Sequence, residues 1–167
     1  MTTRKKVCML GAYAVGKTSL VSRWVHSLFS DRYQTTVGVK IDKHDTSVDG
    51  RPVTLLLWDI HGEDELQTVR ESYLKGSDGL VLVADGTRAA TLDKALELSQ
   101  RADTLLGSRP SVLMINKSDL LGEWDIDDDR LADLARAGWT VLRTSAKTGD
   151  GVPAAFEALA RRLLPEA

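Results

Sequence analysis

The stretch Gly11-Ala12-Tyr13-Ala14-Val15-Gly16-Lys17-Thr18 fits the pattern G-x-x-x-x-G-K-[ST], and its surroundings give the pattern physical meaning. It follows the apolar run Val7-Cys8-Met9-Leu10 and leads into Ser19-Leu20-Val21-Ser22-Arg23-Trp24, so a strand precedes it and a helix follows. A loop of small residues turning into a helix N-terminus can aim successive backbone N–H groups at one anion, with the helix dipole adding to the attraction. Residues Gly11, Tyr13, Ala14, Val15, Gly16, Lys17, Thr18 and Ser19 are therefore expected to form a phosphate cradle. Lys17 would sit on the outer phosphates. The Thr18 hydroxyl would give Mg²⁺ one oxygen of an octahedron shared with water and phosphate.

A strand-loop-helix start of this kind commits the chain to an α/β architecture, and its length sets the scale. At 167 residues it suits one domain, 1–167, with room for a sizeable core. Charge is nearly balanced, 22 basic against 24 acidic residues without blocks of one sign, so no nucleic-acid partner is expected. The single Cys8 lies in the first apolar run, which excludes an internal disulfide and fits a reducing compartment. The apolar run after Met1-Thr2-Thr3-Arg4-Lys5-Lys6 is too short for a signal-peptide core or a membrane span. A cytoplasmic protein is expected.

Apolar runs and helical periods alternate along the rest of the chain. Lys6 to Leu10 reads as a strand, and Lys17 to about Leu28 as a helix burying Leu20, Val21, Trp24 and Leu28. Residues 29–37 have no clear period. Val39 to Val48 and Pro52 to Trp58 read as strands joined by the tight turn Asp49-Gly50. Ile60 to Gly76 is polar with a weak helical pattern, and Gly79 to Ala84 is a strand buried on both faces. Thr91 to Leu106 is helical, Ser111 to Ile115 a buried strand, Asp127 to Ala137 a helix with an acidic start, and Thr140 to Leu142 a short strand. Pro153 to Leu164 closes the chain as a helix with Arg161 and Arg162 near its end. The expected fold is a three-layer P-loop NTPase arrangement. It has a six-stranded, mostly parallel sheet with one antiparallel edge strand and helices on both faces. Ligands of such sheets bind beyond the carboxyl ends of the strands.

Two more motifs fall on loops of that rim. In Leu55-Leu56-Leu57-Trp58-Asp59-Ile60-His61-Gly62-Glu63-Asp64, Asp59 ends an apolar strand beside the phosphate loop, where it can hold Mg²⁺ directly or through water. Gly62 lets a backbone N–H approach a terminal phosphate. In Asn116-Lys117-Ser118-Asp119, which follows Val112-Leu113-Met114-Ile115, the Asp119 carboxylate can accept from both the N1–H and the 2-amino group of guanine. Adenine lacks that pair of donors, so the wrong base leaves the acceptor unpaired. Ser145-Ala146-Lys147 can offer a backbone N–H to the guanine carbonyl, with Lys147 covering the ring.

Taken with Tyr33-Gln34-Thr35-Thr36-Val37-Gly38-Val39 and Thr144-Ser145-Ala146-Lys147-Thr148-Gly149, these motifs resemble the small GTPases of the Ras superfamily, nearest the Rab-like branch, over nearly the whole chain. The resemblance implies a molecular switch in which GTP and Mg²⁺ order loops at about 29–39 and 60–76, hydrolysis to GDP releases them, and a protein effector reads the difference. An exchange factor and an activating protein are the regulators implied. By position it also implies that Thr36 is the second hydroxyl on Mg²⁺, that Phe29 packs across the guanine, and that Asn116 ties the base loop to the phosphate loop. In the reaction Lys17, Gly62 and Thr36 would surround the γ-phosphate, with Glu63 as partner of the attacking water.

The departures bear on the reaction. Where the family has Asp-Thr-Ala-Gly-Gln-Glu, this chain has Asp59-Ile60-His61-Gly62-Glu63-Asp64, so a carboxylate replaces the water-orienting glutamine. It can accept from water but cannot donate to the phosphate as an amide does. Glu63 either positions or deprotonates water, or swings into solvent; slow hydrolysis is expected. Tyr13 replaces a small residue on the side from which an activator's arginine would enter, and it either bonds the γ-phosphate or lies outward. His61, Arg32 and Arg70 are further charged or titratable candidates near the phosphates. The chain ends at Leu164-Pro165-Glu166-Ala167 without a lipidation box, so no direct lipid anchor and a monomer on its own are expected. Two other readings stay open. One is a nucleotide-locked scaffold binding GTP or GDP without useful turnover. The other is a P-loop nucleotide kinase, which would need an acceptor site and an arginine-rich lid that the sequence does not display.

Overall fold

A computed structural model describes residues 2–26, 39–60 and 71–166. In chain order these form β1 (Thr3–Gly11), α1 (Lys17–His26), β2 (Val39–Val48), β3 (Arg51–Ile60), α2 (Glu71–Leu74) and β4 (Gly79–Asp85). There follow α3 (Ala90–Leu106), β5 (Ser111–Asn116), a 3-10 turn at Leu121–Glu123, α4 (Asp128–Arg136), β6 (Val141–Arg143) and α5 (Val152–Leu163). The strands make one sheet in the order β2-β3-β1-β4-β5-β6, parallel except for β2.

Alternation along the central strands explains the layers. Val7 and Met9 of β1 face one core with Val81 and Val83 of β4, while Cys8 and Leu10 face a second with Leu80 and Leu82. The first core is closed by Leu20 and Val21 of α1 and Phe156 and Leu159 of α5. The second is closed by Leu92, Ala95 and Leu98 of α3 and Leu131 of α4. A strand buried on both faces cannot alternate polar with apolar, which is why β4 reads as one uninterrupted apolar run. At α1 the expected stripe is present in Leu20 and Val21, both buried, with Trp24 stacked on Phe156 at 4.2 Å between ring centroids. Leu28 lies outside the described residues.

The β2–β3 hairpin closes through Asp49 and Gly50 at φ 52° and 76°. Both are left-handed, as a two-residue turn matched to strand twist requires. Arg161 of α5 donates to Asp49 Oδ2 at 2.6 Å and so fastens the closing helix to this turn. The acidic start of α4 is a cap, Asp127 accepting from Asp129 N at 3.0 Å.

Strand boundaries differ from the sequence reading where pairing extends beyond the apolar run. β1 begins at Thr3, where polar residues pair with Val53 to Leu55. β3 runs on to Ile60 because Lys40 and Val39 continue the ladder opposite Asp59 and Ile60. Of the weak helical pattern read over 60–76, the described residues 71–76 contain the single turn α2, and residues 61–70 lie outside the described part.

Candidate functional site

Five strands bring their carboxyl ends to one rim: β1 at Gly11, β3 at Ile60, β4 at Asp85, β5 at Asn116 and β6 at Arg143. The phosphate loop occupies its centre. Ala14 and Gly16 have φ of 61° and 106°, which bends the chain tightly from β1 into α1. Glycine is required at 16, since a Cβ there would stand 2.2 Å from Asn116 Nδ2. Gly11 is held by space as well, because its Cβ would meet the Val83 carbonyl oxygen at 2.5 Å.

Lys17 is 6% exposed and arches back over its own loop, donating to the carbonyls of Gly11 at 3.1 Å and Ala12 at 3.2 Å. These are the contacts of a cation held where an anion could draw it. Thr18 Oγ1 donates to Asp59 Oδ2 at 2.5 Å, and that carboxylate is 1% exposed at the end of β3. The two oxygens predicted for a metal from separate motifs thus meet. Among the described residues no group of three or more His, Cys, Asp or Glu side chains could hold a metal alone. A hydroxyl and one carboxylate fit Mg²⁺, whose remaining positions are commonly filled by water and phosphate oxygen. Thr36, Phe29, Gly62 and Glu63 lie outside the described residues, as do His61, Arg32 and Arg70. Tyr13 is 41% exposed.

Asn116 joins the two halves of the rim. Buried to 2% exposure, it donates from Nδ2 to the Val15 carbonyl at 3.0 Å, and its Oδ1 accepts from Thr144 Oγ1 at 3.2 Å and Ala146 N at 3.3 Å. The phosphate loop and the 144–147 loop are therefore held at one distance by a single side chain. Asp119, exposed at the edge, accepts from Ser145 Oγ at 2.7 Å, which fixes the plane of its carboxylate. The Ser145 N–H is committed to Asp150 O at 2.9 Å and the Ala146 N–H donates to Asn116 Oδ1 at a longer 3.3 Å, so a base carbonyl would be read by the Lys147 N–H or by sharing the Ala146 N–H. Lys147 is exposed.

Four further residues, Asp85, Thr87, Arg88 and Arg23, build the site without having been singled out in the sequence. Asp85, wholly buried at the end of β4, accepts from Lys117 Nζ at 2.8 Å, Arg88 Nε at 3.0 Å, Thr87 N at 2.8 Å and Thr87 Oγ1 at 2.7 Å. Burial alone would push this carboxyl up, but the hydrogen bonds from Lys117, Thr87 and Arg88 outweigh it and leave the group below the ordinary range. Lys117 adopts a left-handed φ of 71° to make its contact. Arg23 of α1 donates from Nε to Ala146 O at 2.7 Å and from Nη2 to Lys147 O, so the helix that begins at Lys17 also supports the 145–147 loop. A carboxylate closing an apolar strand was the available signal for Asp85, the same that marks Asp59. No local pattern distinguishes Arg23.

The sequence profile described as Ras family matches residues 6–165. Ras-related protein Rab-7b of Bos taurus is 34% identical over 98% of this chain and 86% of its own length, and the Mus musculus Rab-7b is 34% identical over the same shares. Ras-related protein Rab-18 of Caenorhabditis elegans is 29% identical over 97% of this chain and 81% of its own length.

Proposed function

From its membership of the Ras family of small GTPases, guanine-nucleotide-binding switches that hydrolyse GTP, we propose that this chain uses its rim loops to bind GTP and GDP with Mg²⁺, hydrolyses GTP slowly, and recruits a protein effector in one nucleotide state. The observation that carries this reading is the Asn116 bridge, because it sets a phosphate-type loop and a guanine-type loop side by side on one rigid sheet edge. Residues 1–167 act as one domain.

In this reading the Asp119 carboxylate takes the two guanine donors, held in plane by Ser145, while Ala146 or Lys147 reads the base carbonyl. Phe29 and Lys147 cover the ring. Residues 11 and 13–19 wrap the phosphates with backbone N–H groups, and Lys17 leaves the carbonyls of Gly11 and Ala12 to meet the outer phosphates. Thr18 and Thr36, with Asp59 in support, would hold Mg²⁺, which would supply positive charge against the phosphate oxygens. Gly62 offers its N–H to the γ-phosphate. Glu63 accepts a hydrogen bond from the attacking water but returns none to the phosphate, and its own charge opposes approach. Both effects make turnover slow.

Ile41, 51% exposed on the edge strand β2, stands opposite Trp58 in register, and the Trp58 ring lies 6.4 Å from that of Tyr73. These residues adjoin both loop stems, 39 and 71, which favours a protein partner that reads both loops together.

Single-turnover GTP hydrolysis by purified protein tests the reaction. A slow rate above buffer is expected, reduced in Glu63→Ala and raised in Glu63→Gln. A rate equal to buffer would leave a nucleotide-locked scaffold instead. Hydrogen exchange at 29–39 and 60–76, compared between GDP and a non-hydrolysable GTP analogue, tests the switch; identical protection in both states would refute it.

A further inference from the structure

Two peptide groups of the phosphate loop are gripped from outside by side chains at the ends of other strands and just beyond them. Asn116 holds the Val15 carbonyl, and Arg88 Nη2 holds the Tyr13 carbonyl at 2.9 Å. In a trans peptide the carbonyl and the following N–H point in opposite directions. Pulling the Tyr13 carbonyl toward Arg88 therefore turns the Ala14 N–H away from Arg88, and Asn116 imposes the same geometry on Gly16 N–H.

Ala14 sits at φ 61°, a left-handed conformation that costs a residue with a side chain on the order of 1 kcal/mol, so this peptide needs support to stay as it is. Arg88 supplies it from a fixed base. Its Nε is anchored on the buried Asp85, which in turn holds Lys117 beside the base loop. A guanidinium can span both acceptors because its donors form a rigid fork. The side chain is not needed to start α3, since the Arg88 backbone carbonyl does that by accepting from Thr91 N at 3.0 Å and Thr91 Oγ1 at 2.7 Å.

We infer that Arg88 is a positioning residue of the phosphate loop: by holding the Tyr13 carbonyl outward, it directs the Ala14 N–H at the phosphate chain of the bound nucleotide. This rests on the guanine-nucleotide reading above. Asp85 links the same guanidinium to Lys117, so the grip on the phosphates and the base loop share one buried charge.

The test is release of a fluorescent GDP from the Mg²⁺-loaded protein, together with the ³¹P spectrum of bound GDP, for wild type, Arg88→Ala and Arg88→Lys. Loss of a charge-assisted hydrogen bond predicts release about tenfold faster in Arg88→Ala, with a displaced β-phosphate resonance. Arg88→Lys, whose single ammonium cannot span both acceptors, should fall between. Wild-type release with an unmoved β-phosphate resonance would overturn the inference. So would faster release with an unmoved resonance and a lowered thermal midpoint, which is general loosening of the fold. Failure of the wild type to bind GDP at all would instead remove the nucleotide reading beneath it.

Discussion

Replacing Asn116 by alanine removes a side chain that hydrogen-bonds both the phosphate loop and the 144–146 segment. The change strips three polar groups of a partner: the Val15 carbonyl, the Thr144 hydroxyl and the Ala146 N–H. Asn116 is 2% exposed and Thr144 fully buried, so bulk water does not replace the lost bonds freely. At about 1 kcal/mol or more for each group left unsatisfied, the cost comes to roughly 3 kcal/mol, or about two orders of magnitude in an equilibrium constant. Part of it falls on folding and part on nucleotide affinity, because the loops drift apart before the chain unfolds. Urea unfolding in saturating GDP and GDP release after dilution read the two parts. Thr144→Val removes one of the three bonds and should cost about a third as much. An Asn116→Ala protein within about 0.5 kcal/mol of wild type, releasing GDP at the wild-type rate, would show that the bridge is incidental.

Gly16→Ala combines a left-handed φ of 106° with a Cβ 2.2 Å from the Asn116 amide, and should cost about 3 kcal/mol in urea unfolding; Gly122→Ala, with nothing within 4 Å, should be close to neutral. Asp85 titrates below the ordinary carboxylate value in the folded protein, so its stabilising contribution is complete above about pH 4 and is lost as pH falls through the lower folded value. Asp85→Asn should therefore be less stable than wild type at neutral pH, with the gap narrowing below pH 4 in acid unfolding curves. Burial pushes the Cys8 thiol up, and its Sγ lies 3.0 Å from Ser77 Oγ, so native protein should resist a thiol reagent that reacts promptly with the chain in urea.

The sequence made the rim legible because each of its motifs ends an apolar run. Strand ends are where a parallel sheet delivers side chains, so the Asp59 motif alone implies a place beside the phosphate loop, while the link from Asn116 to that loop is implied by the family resemblance. What stayed hidden was carried by long-range contact. Asp85 belongs to the same class of strand-end carboxylate, but much of its weight comes from Lys117, 32 residues away, a pairing with no sequence period, while the Arg88 partner is local at i,i+3. Arg23 looks like a solvated helix residue until the 145–147 loop folds against it. The hairpin ladder set the end of β3, two residues beyond the apolar run, because Val39 and Lys40 kept pairing.

Titration of nucleotide-free protein with GDP and with ADP in Mg²⁺, repeated with Asp119→Ala, tests most directly whether the rim is a guanine-nucleotide site. Wild type should bind GDP and leave ADP about a hundredfold weaker, since the Asp119 carboxylate, matched to two guanine donors, goes unpaired with the wrong base. Asp119→Ala should lose most of that preference. Equal binding of the two nucleotides, or none of either, would contradict it.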